Sequence, residues 1–170
     1  MPRLHVCSLS RLAETVAESG ARHVVTLINV GTPVVRPAAI APDNHLFIGV
    51  SDITAPMDDH VLPERAHVER LIAFVRAWGR EAPLVLHCYA GISRSTAAAY
   101  IAACALKPRH DEAEIARALR AASPSATPNP RLVAVADDLL GREGRMVAAI
   151  AAIGRGADAF EGTPFSLAID

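Results

Sequence analysis

The stretch Pro83-Leu-Val-Leu-His-Cys-Tyr-Ala-Gly-Ile-Ser-Arg-Ser95 decides how this chain is read. It joins a short apolar run, a glycine-containing loop and the start of a segment, residues 95–106, with apolar or small side chains on nearly every face. The run is predicted as a buried strand and the segment as a central buried helix. Between them Cys88 and Arg94 are separated by five intervening residues. A loop so placed can fold round one tetrahedral oxyanion, because its backbone N–H groups and the unpaired amides of the helix N-terminus converge where the dipole favours negative charge. Gly91 supplies freedom for the tight curl. Arg94 offers a planar, permanently charged fork that takes two oxygens at once, which a lysine does not reproduce. Tyr89, Ala90, Gly91, Ile92 and Ser93 contribute backbone to the same cradle. The field that holds the anion also favours a thiolate, which makes Cys88 a candidate nucleophile at its base, and Ser95 is placed to donate a hydrogen bond to the sulfur.

Working outward, residues 4–7 read as a short strand, after which Ser8 or Ser10 caps a helix ending at Gly20. Residues 22–30 form a β-branched run of buried-strand length, and residues 45–50 another strand. Two loops follow these strands, at 31–44 and 51–62. Pro63 opens a helix whose stripe is Val68, Leu71, Ile72, Val75 and Trp78. Further helices are predicted over residues 111–122, 131–140 and 143–153. The expectation is an α/β fold with a central, mostly parallel four- to five-stranded sheet flanked by helices, a single domain at 1–153 and a C-terminal tail at 154–170. Ligands of such sheets bind beyond the carboxyl ends of strands, which directs attention to the loops after Val50 and His87.

Composition narrows the class. A chain of 170 residues fits one domain, and 17 basic against 18 acidic residues give a net charge of −1, without the basic footprint of a nucleic-acid or membrane-surface protein. Hydrophobic residues make up 51% and aromatics only 4%, with a mean hydropathy of +0.25, so a helix-rich globule with small contact residues is expected. The longest apolar run, residues 97–106, is half a membrane span. The N-terminus lacks the pattern of an export signal. Cys7, Cys88 and Cys104 have no C-x-x-C spacing, which argues against a disulfide framework or structural zinc and for a reduced cytoplasm. Cys7 and Cys104 read as small buried hydrophobes, and His60 and His67 as solvated residues rather than metal ligands. No metal or cofactor is expected, nor a nucleic-acid or membrane partner, and the chain is expected to be a monomer.

His87, Cys88, Gly91, Arg94 and Ser95 match every fixed position of H-C-x-x-G-x-x-R-[ST], and the chain resembles the cysteine-dependent protein tyrosine phosphatases. Three further stretches are similar to the small dual-specificity branch, in a bacterial-type form: Leu27-Ile-Asn-Val30, Ser51-Asp52-Ile53, and Ser123-Pro-Ser-Ala-Thr-Pro-Asn129. The likeness spans residues 24–140. It implies the phosphatase fold, its phosphate-binding loop, and a two-step, metal-independent hydrolysis of phosphomonoesters through a phosphocysteine, with phosphorylated proteins or small aryl phosphates as substrates. A proton donor for the leaving oxygen is then required. Asp52 is the choice, since it lies just off a strand end where the family's acid lies, with Asp58 and Asp59 as alternatives. The longer tyrosine-specific members carry Trp-Pro-Asp there, whereas this chain has Val-Ser-Asp. Asn129 is expected either to pack near the loop or to serve as a plain turn residue, and His87 to be buried and hold the loop in shape. Two rivals remain: an idle module that binds phosphate without hydrolysis, and a phosphatase for phosphoinositides or nucleotides. Against the latter, the loop carries no cation besides Arg94, so extra phosphates would be unpaired, and aryl phosphates are preferred.

Overall fold

The computed structural model describes residues 1–170. Five strands, β1 (Arg3–Cys7), β2 (His23–Ile28), β3 (His45–Gly49), β4 (Leu84–His87) and β5 (Phe165–Ala168), form one sheet in the order β3-β2-β4-β1-β5. The first four are parallel and β5 is antiparallel to β1. The helices are α1 (Leu12–Ser19), α2 (Arg65–Ala77), α3 (Arg94–Leu106), α4 (Glu112–Ala122), α5 (Pro130–Leu139) and α6 (Arg145–Ile153).

Successive strand side chains point to opposite faces, and the sequence uses both. Leu4, Val6, Val25, Leu27, Leu84 and Leu86 join the larger core with α2 to α6, while Cys7, Val24 and Val85 meet Leu12 and Val16 of α1 on the other side. Two-sided burial explains why β2 and β4 read as continuous apolar runs rather than alternating ones. All 13 residues of α3 are buried, Arg94 included. Its alanines let α2, α4, α5 and the sheet approach closely, and Tyr100 reaches out to donate to the Glu112 carbonyl at 3.0 Å. This central packing fixes the helix N-terminus beneath the loop that follows β4.

Two expectations are corrected. Ser8 and Ser10 do not cap α1; a 3₁₀ turn at Leu9–Arg11 intervenes, and both hydroxyls instead donate to the Glu161 carboxylate. Pro63 lies outside α2, which begins after Glu64 with a capping box in which the Glu64 side chain and His67 satisfy each other's backbone amides. Within the C-terminal tail expected at 154–170, β5 returns to the sheet and pairs with the β1 edge. No helix is long and apolar enough to cross a membrane.

Candidate active site

β4 ends at His87 and α3 begins at Arg94, so residues 88–93 must turn above the carboxyl end of the sheet. Their carbonyls are pulled outward by four hydrogen bonds from three separate parts of the chain. Tyr89 O accepts from Leu9 N at 3.1 Å, Ala90 O from Gly162 N at 2.8 Å, Ile92 O from Thr127 N at 2.9 Å and Ser93 O from Asn129 N at 3.1 Å. The amides of Tyr89, Ala90, Ile92 and Ser93 donate to no group of the chain, which leaves a ring of N–H groups on the inner side. That arrangement is an anion nest. Gly91 sits at φ 73°, and a Cβ there would lie 2.9 Å from the backbone of Cys7 and Ser8, so the curl requires glycine.

Cys88 lies at the base of this ring, almost wholly buried. Its Sγ is 3.1 Å from Ser95 Oγ and accepts from Gly91 N at 3.3 Å. Arg94, also buried, is oriented by one nitrogen: Nη1 donates to Asn29 Oδ1 at 2.6 Å and to Val50 O at 2.9 Å. Its Nε is buried without a partner in the chain. Buried guanidinium donors are rarely left so, and the free edge beside the nest is what an oxyanion would satisfy. Asn29 therefore fixes which edge of the guanidinium stays available.

His87 is buried and bonded on both nitrogens. Nδ1–H donates to the Cys88 carbonyl at 3.2 Å, which leaves Nε2 to accept from Thr26 Oγ1 at 2.6 Å, and Thr26 Oγ1 in turn accepts from His45 Nε2 at 2.7 Å. Desolvation by burial lowers the His87 pKa to about 4, overriding the bond to Cys88 that raises it; repulsion from His45 adds to the lowering. The ring is neutral at physiological pH and holds the loop as a spacer. The unfolded chain, with its histidines near 6.5, binds more protons than the folded one below that pH. Stability contributed by His87 is thus complete above about pH 6.5 and is lost towards pH 4, by about 3 kcal/mol. Burial lowers His5, His23, His45 and His67 in the same direction. Urea unfolding between pH 7 and 4.5 should show a decline that is visibly shallower in His87→Gln; an unchanged slope in that variant would contradict the assignment.

Asp52 leaves the sheet one residue beyond a fixed point. Ser51 N donates to Val61 O at 2.9 Å and Val61 N donates to Ser51 Oγ at 3.1 Å, closing the base of the loop between them. The Asp52 Oδ1 then accepts from Ser93 Oγ at 2.7 Å and from Asn129 Nδ2 at 2.8 Å, so the carboxylate stands on the rim of the nest with Oδ2 unengaged. Asn129 holds three elements together: its amide also donates to Ile53 O at 3.2 Å, while its Oδ1 caps α5 by accepting from Leu132 N at 3.0 Å. Asn129 thus lies against the loop and caps α5. Asp58 and Asp59 lie on the exposed outer part of the loop, and neither carboxylate bonds to the nest. Every residue singled out in the signature is brought together here; Asn29, from the resembling stretch Leu27-Ile-Asn-Val30, supports it, as do Thr26, Leu9 and Gly162, which no sequence pattern marked.

A mostly parallel five-stranded sheet, a cysteine under a ring of free amides and an arginine with an open edge define a phosphatase domain of the dual-specificity type. Residues 8–107 match the family model described as Tc-R-P, polymorphic toxin system, DSP-PTPase phosphatase, and the chain belongs to that family. Among solved structures it is similar to DUSP15, at 18% identity and a TM-score of 0.65 over 91% of this chain and 94% of that one. Human DUSP28 follows with 23% identity and a TM-score of 0.57 over 82% and 92%. PTPMT1, crystallised in complex with PI(5)P, has 15% identity and a TM-score of 0.63 over 87% and 94%. At such identities the likeness is one of fold. No curated protein matches the chain in sequence.

Proposed function

We propose that this phosphatase hydrolyses aryl phosphates, phosphotyrosine in proteins foremost, through a phosphocysteine at Cys88. The observation that carries the reading is that one loop combines a buried, unpartnered Arg94 Nε, amides that no carbonyl of the chain occupies, and a buried sulfur that accepts from Gly91 N. The phosphoryl oxygens lie in that nest and along the Arg94 edge. The Cys88 thiolate attacks phosphorus in line; the S–P bond forms as the P–O bond to the leaving group breaks, and the Asp52 carboxyl gives its proton to the departing oxygen. Water then attacks phosphorus, Asp52 takes the water's proton, and the S–P bond breaks. Ser95 Oγ, 3.1 Å from Sγ, donates a hydrogen bond to the leaving thiolate. No step draws on a metal or cofactor. Three unpaired cysteines support a reducing cytoplasm as the working compartment.

Substrate preference rests on charge. The side chains of the nest, Tyr89, Ala90, Ile92 and Ser93, are uncharged, and Arg155 at the neighbouring cleft is paired with Asp158 at 2.9 Å. A second or third phosphate on a headgroup would find no dedicated cation there. Steady-state comparison of a phosphotyrosine peptide with phosphoserine and water-soluble phosphoinositide substrates should rank the phosphotyrosine peptide first in kcat/KM. A higher kcat/KM for a phosphoinositide would overturn the preference while leaving the phosphocysteine chemistry in place.

A further inference from the structure

Beyond α6 the chain forms a strap, residues 155–162, tied to the nest and its neighbours at both ends. Gly156 N donates to Thr127 Oγ1 at 3.1 Å and Ala157 N to Pro124 O at 2.9 Å. At the far end Gly162 N donates to Ala90 O at 2.8 Å, and the Glu161 carboxylate accepts from Ser8 and Ser10. A Cβ at Gly156 would lie 2.6 Å from Ser125 and Ala126 carbonyl oxygens, and one at Gly162 would lie 2.6 Å from Gly91 O. Only glycine permits these approaches. Between the anchors stands Phe160, whose side chain is fully exposed. It separates two clefts: one of about 480 Å³ bordered by Asp52, Ser93, Thr127 and the strap, the other of about 360 Å³ bordered by Ser10, Tyr89, Ala90 and Glu161. A bare phenyl ring on a segment anchored on both sides is an apolar surface held in position with nothing of its own chain to cover it.

The site described above says what should cover it, and the inference rests on Asp52 being the proton donor. An acid within hydrogen-bond reach of the leaving oxygen requires the group attached to that oxygen to occupy the cleft that the acid borders. The opposite wall of that cleft is the strap. We propose that residues 155–160 form the leaving-group subsite and that Phe160 packs against the aromatic ring of the substrate, so that this residue sets the preference for phenolic over alkyl phosphates. The cleft is large enough for one ring and its flanking groups. The ring of phosphotyrosine meets Phe160 edge-on or offset, whereas the short side chains of phosphoserine and phosphothreonine leave it uncovered.

The test uses the full chain with Phe160→Ala and Phe160→Trp. In Phe160→Ala, kcat/KM for a phosphotyrosine peptide and for p-nitrophenyl phosphate should fall about three- to tenfold, mainly through KM, while that for a phosphoserine peptide changes less than about twofold. The shape of the pH profile should not move, and Phe160→Trp should restore the aryl rate. Equal losses for both substrate classes, or none for the aryl class, would overturn the proposal. A second readout needs no turnover: in a Cys88→Ser background, Phe160→Ala should weaken calorimetric binding of the phosphotyrosine peptide but not of the phosphoserine peptide, and equal effects would again overturn it. Absence of wild-type turnover on every substrate would defeat the hydrolase reading, and the binding comparison would still decide the role of Phe160.

Discussion

Cys88→Ser is expected to lose more than about 10³-fold in turnover of any phosphomonoester, with binding of inorganic phosphate close to that of the unaltered chain. The two effects separate because they reside on different atoms. Binding depends on the inner amides and on Arg94, whose positions are set by four outward carbonyl bonds and by Asn29 and Val50, none of which involves the sulfur. Turnover depends on a nucleophile that a serine hydroxyl, scarcely ionised near neutrality, does not replace. The exchange is nearly isosteric and Ser95 Oγ remains within reach of the new hydroxyl, so folding should be preserved and is checked by circular dichroism. Retention of more than about one percent of the activity would remove Cys88 as the nucleophile.

Asp52→Asn is expected to reduce kcat on a phosphotyrosine peptide by roughly 10²–10⁴-fold and to flatten the alkaline limb of its pH profile. The amide can still accept from Ser93 and Asn129, so the rim keeps its shape while the transferable proton is gone. The loss should shrink for a substrate whose leaving group departs as a stable anion, since that oxygen needs little protonation. Asp58→Asn and Asp59→Asn should leave kcat near the unaltered value, because both carboxylates lie on the outer part of a loop whose base is closed at Ser51 and Val61. A large loss in either of those variants together with a small one in Asp52→Asn would transfer the acid role.

The parts of the site that were legible in the sequence are those in which a local pattern and a chemical requirement coincide. An apolar run, Cys88, Gly91, Arg94 and an alanine-rich helix are contiguous, and each is needed for a loop between a buried strand and a helix N-terminus. Asp52 was legible through its place just off a strand end. The supports were not, because they act across long separations of the chain. Asn29 orients Arg94 from 65 residues away, and although its stretch Leu27-Ile-Asn-Val30 carried part of the resemblance, nothing local named Arg94 as its partner. Phe165-Ser-Leu-Ala168 carries no β-branched residue to announce a strand, and it becomes one because the β1 edge is open to pair with it. Ser8 and Ser10 have the composition of helix caps, yet a carboxylate from the far end of the chain takes their hydroxyls, a tertiary contact that overrides a local preference.

The central claim is a covalent one, and mass spectrometry of the acid-quenched enzyme tests it most directly. Within the first turnovers of an aryl phosphate, the peptide carrying Cys88 should gain the mass of one phosphoryl group, and the adduct should persist longer in Ser95→Ala, where the leaving sulfur has lost its hydrogen-bond donor 3.1 Å away. A phosphoryl group found on another residue would contradict the account. So would steady turnover with no adduct in either form.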